Sequence, residues 1–176
     1  LSLAGDAELA EAIYRDTLDA QTELLGENHR DTLKTASDFA GHLWKSGQVD
    51  EARERFARVL ELRRDAFGFG HPETVITLRD AAEVLAERGE VEEACRLLGE
   101  CADVLRSSAA DRQDAVLVLR LHGLRLIQTG RLEQAERELT PLVPILEGHP
   151  APWARTELVQ TYHALRLLAE HRQDET

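Results

Sequence analysis

Gly47-Gln-Val-Asp-Glu-Ala52 returns as Gly89-Glu-Val-Glu-Glu-Ala94 and Gly130-Arg-Leu-Glu-Gln-Ala135, and is preceded by Gly5-Asp-Ala-Glu-Leu-Ala10. The steps between these glycines are 42, 42 and 41 residues. Self-similarity at this period marks one unit of two helices and a turn, copied along the chain. The register holds away from the glycines. Leu24-Leu-Gly26-Glu-Asn-His29-Arg-Asp-Thr32 lies over Ala66-Phe-Gly68-Phe-Gly-His71-Pro-Glu-Thr74, with Gly, His and Thr in matching places.

Apolar residues recur at three and four, with no strand-like alternation. The spacing predicts helices over 6–25, 31–46, 49–66, 73–88, 91–107, 112–129, 132–146 and 152–171. Gly47, Gly89 and Gly130 are read as helix ends where a left-handed residue is needed. Pro72 suits a first helical turn. Pro141 and Pro144 are expected to bend or shorten the seventh helix. Counting from each turn glycine picks out the core. Before it come Ala36, Phe39, Ala40 and Leu43, then Leu78, Ala81, Ala82 and Leu85, then Leu119, His122, Gly123 and Leu126. After it come Ala10, Tyr14 and Thr17, and their equivalents Ala52, Phe56 and Val59, Ala94, Leu98 and Cys101, and Ala135, Leu139 and Leu142. Small residues let helix backbones approach, and large ones fill the remaining space.

Composition bounds the function. The 176 residues contain 5% aromatics and carry a net charge of −12. Residues 1–31 hold eight acids and two bases, a balance of −6. This argues against nucleic acid, which needs a basic surface. The acidic end is read as a solubility feature or as a surface for a basic partner. No apolar run is long enough to cross a membrane. Cys95 and Cys101 lie six residues apart on one predicted helix. That is roughly 9 Å along the axis, too far for a disulfide. Reduced thiols and a cytoplasmic setting are expected. No phosphate loop, dinucleotide fingerprint, HExxH pair or catalytic triad is found, so an enzyme, a cofactor and a metal are not expected. His29 and His71 are read as loop or cap residues, and His122 and His163 as hydrogen-bonded core histidines.

The pattern resembles tetratricopeptide repeats over nearly the whole chain. Its long period, and Phe67-Gly-Phe-Gly-His-Pro-Glu-Thr74 with its counterpart Leu25 to Thr32, are similar to the subclass of kinesin light chains and many bacterial regulators. The third linker, Arg106 to Gln113, lacks the motif. The resemblance implies an all-α fold, a right-handed α-solenoid of about eight antiparallel paired helices. Residues 1–176 then form one array: a half-repeat 1–31, repeats 32–73, 74–114 and 115–151, and a terminal helix 152–171. With Leu first and no Met, the chain is read as a piece of a larger protein.

In the family it resembles, first helices line a concave groove. The places facing it are Lys34, Ser37, Asp38, Gly41, Trp44 and Lys45; Ile76, Arg79, Asp80, Glu83, Ala86 and Glu87; and Leu117, Arg120, Leu121, Leu124, Ile127 and Gln128. The last helix adds Leu158, Thr161, Tyr162, Leu165, Leu168 and Ala169. The family's inner-face Asn is Asp38, Asp80 and Leu121 here. Lys34, Asp38, Trp44, Arg79, Asp80, Arg120, Leu121, Leu124 and Tyr162 are the candidate partner-binding residues. Trp44 is the candidate anchor, because aromatic side chains carry much interface energy; the other reading is partly buried packing. Arg79 and Arg120 either flank a pocket or pair with neighbouring carboxylates. The apolar C-terminal places either hold an apolar partner segment or are covered by later helices or a second copy. The expected function is a protein or peptide scaffold, the sensor or scaffold part of a larger bacterial regulator. The alternative is a self-association module, because both end helices lack a mate.

Overall fold

The computed structural model describes residues 3–108 and 112–174. Among them are the helices α1 (Leu3–Leu25), α2 (Arg30–Lys45), α3 (Val49–Phe67), α4 (Pro72–Glu87) and α5 (Val91–Ser108). There follow α6 (Gln113–Gln128), α7 (Leu132–Leu139), α8 (Leu142–Gly148) and α9 (Pro152–Asp174). No strand occurs among the described residues. All eight expected helices are present, the seventh broken into α7 and α8. Pro141 has no N–H for the preceding turn, and its ring clashes with the carbonyl four residues back. Pro144 is harmless, because it falls in the first turn of α8, where no helical partner is lost. The middle of the third linker, 109–111, lies outside the described residues.

The chain divides into two compact units, Leu1–Arg88 and Gly89–Thr176. In the first, α2 packs on α1 and α3, and α3 packs on α4. In the second, α6 packs on α5 and α7, and α9 lies against α6, α7 and α8.

Turn chemistry sets these reversals. Gly47 and Gly130 have φ of +84° and +72°, a region costly for a side chain. The Gln48 N–H then donates to the Leu43 carbonyl at 2.9 Å, and Arg131 donates to Leu126 at 2.8 Å. This wrapped C-terminus satisfies carbonyls that the helix leaves open. At the opposite ends, His29 and His71 cap α2 and α4. Each Nδ1 accepts a backbone N–H two residues on, at 3.3 Å, from Asp31 and Glu73.

The predicted packing places are the core. Ala52, Ala94 and Ala135 have no exposed surface, and Phe39 and Phe56 are equally enclosed. Each buried ring contributes about 2–3 kcal/mol of hydrophobic stabilisation. Gly123 stands where the other repeats have Ala40 and Ala82. A Cβ there would lie 2.6 Å from Leu139, so glycine is required by contact. Ala10, Tyr14 and Thr17 on α1 are only half-buried.

Candidate functional site

In the first unit, α2 and α4 run side by side and turn their remaining places outward. Ser37 and Thr77 hydroxyls meet across this seam at 3.4 Å. Lys34 Nζ pairs with Asp38 one turn on, at 2.6 Å. The Asp38 hydrogen bond, then its charge, holds the Lys34 ammonium above its ordinary pKa. Arg79 Nε donates to its neighbour Asp80 at 2.9 Å. Such solvent-facing pairs contribute only about 0–1 kcal/mol each. Trp44 is half-buried against the cluster of Phe39, Leu43 and Ala52, and its indole N–H donates to Glu87. It therefore both packs and links α2 to α4. Ile76 stays 43% exposed on the same face. The result is a shallow polar face with an aromatic patch.

The second unit treats the equivalent places differently. Arg120 and Leu121 are each only 9% exposed. Arg120 Nε donates to Glu157 on α9 at 3.0 Å. Leu124, Leu158 and Leu165 pack against the cluster containing Leu126, Ile127 and Leu168. The apolar run on α6 is covered by α9, an element of the same unit, and Arg120 is neutralised inside that contact. Tyr162 is 48% exposed, and its hydroxyl donates to Glu147 at 2.9 Å. Of the nine candidate residues, the structure gathers Lys34, Asp38, Trp44, Arg79 and Asp80 on one open face. Arg120, Leu121 and Leu124 belong to packing contacts.

A buried polar cluster accompanies α6. Glu138 is 6% exposed, yet it accepts from His122 Nδ1 at 2.7 Å and from Arg106 at 2.6 Å. Burial opposes a charged His122, but hydrogen bonds with Cys95 and Glu138 outweigh it and push its pKa up to about 9. His122 is thus a hydrogen-bonded core histidine. Glu138 and Glu157 were not among the candidate residues, though the repeat carried a signal for Glu138. Arg55, eight residues after Gly47, stacks on Phe39, eight residues before it, at 4.3 Å. Glu138 and His122 hold the same two places about Gly130.

Cys95 and Cys101 are free and buried, and burial pushes the Cys101 thiol up to about 12. Among the described residues, no group of three or more His, Cys, Asp or Glu side chains is placed to hold a metal ion. No described helix is long and apolar enough to cross a membrane.

Comparison with known proteins follows the same lines. The family model described as tetratricopeptide repeat matches residues 1–65 and 31–107. Among solved structures, a Podosopora anserina protein described as a putative kinesin light chain with nearly identical TPR-like repeats is similar in a single-substitution form. It has 20% identity and a TM-score of 0.74, covering 97% of this chain and 87% of that one. The same protein without that change has a TM-score of 0.73 at 20% identity, covering 97% and 84%. BtubC (BKLC) from P. vanneervenii has a TM-score of 0.71 at 14% identity, covering 98% and 75%. At these identities the likeness concerns the fold. No curated protein matches the sequence.

Proposed function

The chain belongs to the tetratricopeptide repeat family, and from that premise we propose that it is a scaffold whose first helices hold a peptide or protein segment. One observation carries this reading. The face of α2 and α4 keeps Lys34, Asp38, Arg79 and Ile76 within reach of solvent around a half-buried Trp44. Rigid elements present these side chains, and an aromatic beside paired charges suits an interface core with a polar rim. Fold alone does not assign a partner. The reading extends to a cytoplasmic module holding a peptide, protein or neighbouring domain within a larger bacterial regulator. The buried free thiols support the compartment.

Immobilised chain and the double variant Trp44→Ala/Arg79→Glu test the reading. Partner retention by the parent and loss by the folded variant are expected. Equal retention by both sinks it.

A second reading, self-association, has its own observation. Leu9, Ile13 and Leu24 on α1 are 62%, 57% and 80% exposed, and they fall on one helical stripe. Light scattering separates the two readings. A monomer at high concentration removes the second and leaves the first intact.

A further inference from the structure

Ala36, Leu78 and Leu119 stand at equivalent places of successive repeats. Leu78 and Leu119 are buried there, 0% and 2% exposed. Alanine lacks the isopropyl end of leucine, and Ala36 is only half-buried. At this point a cavity of about 230 Å³ opens between α1, α2 and α3. Leu18, Leu33, Ala36, Val59 and Leu62 form its apolar wall, and Thr32 lines it from the first turn of α2.

Thr32 is 3% exposed, and its hydroxyl oxygen has no hydrogen-bond partner among the described residues. A buried hydroxyl left unpaired destabilises a fold, so its presence needs a reason. Thr74 holds the same place in the next repeat and is likewise unpaired, but Leu78 stands one turn on from it. The orphan hydroxyl therefore recurs, whereas the alanine that leaves room beside it does not. Threonine uses two side-chain rotamers in a helix, and rotation about Cα–Cβ exchanges methyl and hydroxyl. Thr32 can thus turn its hydroxyl to the cavity.

The charges at the rim are already matched. Arg58 forks onto Glu27 at 3.0 and 3.1 Å and meets Glu61 at 2.7 Å. Arg55 pairs with Glu51 at 2.8 Å and stacks on Phe39 at 4.3 Å. An ionic ligand would have to displace one of these pairs, so the lining favours a neutral one. An apolar cavity of roughly 150 Å³ holds a benzene ring, so this one has room for a ring and a short polar substituent.

We propose that this cavity binds a small neutral molecule with an apolar body and one hydroxyl, the body against Val59 and Leu62 and the hydroxyl on Thr32. At about 3.6 residues per turn, Thr32, Leu33 and Ala36 lie on a different side of α2 from Lys34 and Asp38. The site is therefore separate from the open face, and it does not depend on the reading of that face.

The test uses the full chain and fluorine NMR titrations with para-fluorophenol and with fluorobenzene, which lacks the hydroxyl. The parent should bind para-fluorophenol saturably, with Kd on the order of 1 mM. Thr32→Val keeps the shape and removes the hydroxyl. It should weaken para-fluorophenol about fivefold and leave fluorobenzene unchanged. Thr74→Val should change neither, and both valine variants should raise Tm. Ala36→Leu fills the cavity and should weaken both probes about tenfold or more, with helical circular dichroism retained. Should that variant not fold, nuclear Overhauser contacts from the fluorophenol ring to the Val59 and Leu62 methyl groups of the parent decide the location instead. No saturable binding, or a folded Ala36→Leu chain that binds like the parent, overturns the site. Equal effects of Thr32→Val on the two probes overturn Thr32 as the hydroxyl's partner.

Discussion

Glu138→Gln probes the buried cluster of the second unit. The Glu138 carboxylate is 6% exposed and takes two charged hydrogen bonds, from His122 at 2.7 Å and Arg106 at 2.6 Å. Breaking a buried pair by removing one partner costs about 3–5 kcal/mol, and the amide keeps one acceptor, so about 3 kcal/mol is expected. The loss should depend on pH. Folding raises the His122 pKa from 6.5 to about 9, so the folded chain binds this proton more tightly. Its stabilisation is complete below about pH 6.5 and is lost as pH rises through about 9. That interval corresponds to about 3 kcal/mol. The groups facing His122 are Glu138 on α7 and Cys95 on α5. Arg106 and Asp103 form the next ring, paired at 2.9 Å, and Arg131 contacts Cys95 at 3.7 Å. Trp153 packs on the second unit's core, so a Trp44→Phe background leaves one fluorophore reporting that unit. Urea titrations from pH 6 to about pH 9 should show the parent midpoint falling more steeply than that of Glu138→Gln, with the gap narrowing but not closing, because the Arg106 pair is lost at every pH and Cys95 still holds His122 in the variant. Equal slopes in both proteins would refute the linkage.

Arg120→Ala should cost about 3–5 kcal/mol in urea unfolding, because Glu157 is left charged and buried. The double change Arg120→Met/Glu157→Leu should recover most of it. Gly123→Ala should lose about 1–3 kcal/mol, since its methyl runs into Leu139, whereas the same change at Gly41 should stabilise. Neither Cys95 nor Cys101 should react with a disulfide reagent in the native chain, and both should react at once in denaturant. Rapid native labelling of Cys101 would contradict its burial and its pKa near 12.

The repeat glycines marked the C-terminal ends of α2, α4 and α6. A positive-φ residue, a following wrapped hydrogen bond and a histidine cap are local devices, written within a few residues of where they act. The small and large core places were legible for the same reason, because a period of about forty residues superposes them. The open face was only half legible. Places counted from the glycine identify a helix side, but they do not say what lies opposite. Lys34 and Arg79 have water and near neighbours in their own unit; Arg120, at the place of Arg79 in the next repeat, has α9.

Residue order was therefore enough to specify the brick: two helices, their turn, and the side of each that must be buried. These follow from backbone geometry and periodic hydrophobicity, which act over a few turns of chain. Packing of the complete unit settled the rest, namely which outward places stay open and which charges are matched in the dark. Arg120 with Glu157, 37 residues on, and Glu138 with both His122 and Arg106 are contacts between helices. Their energy depends on exclusion of water, and that is a property of the packed unit.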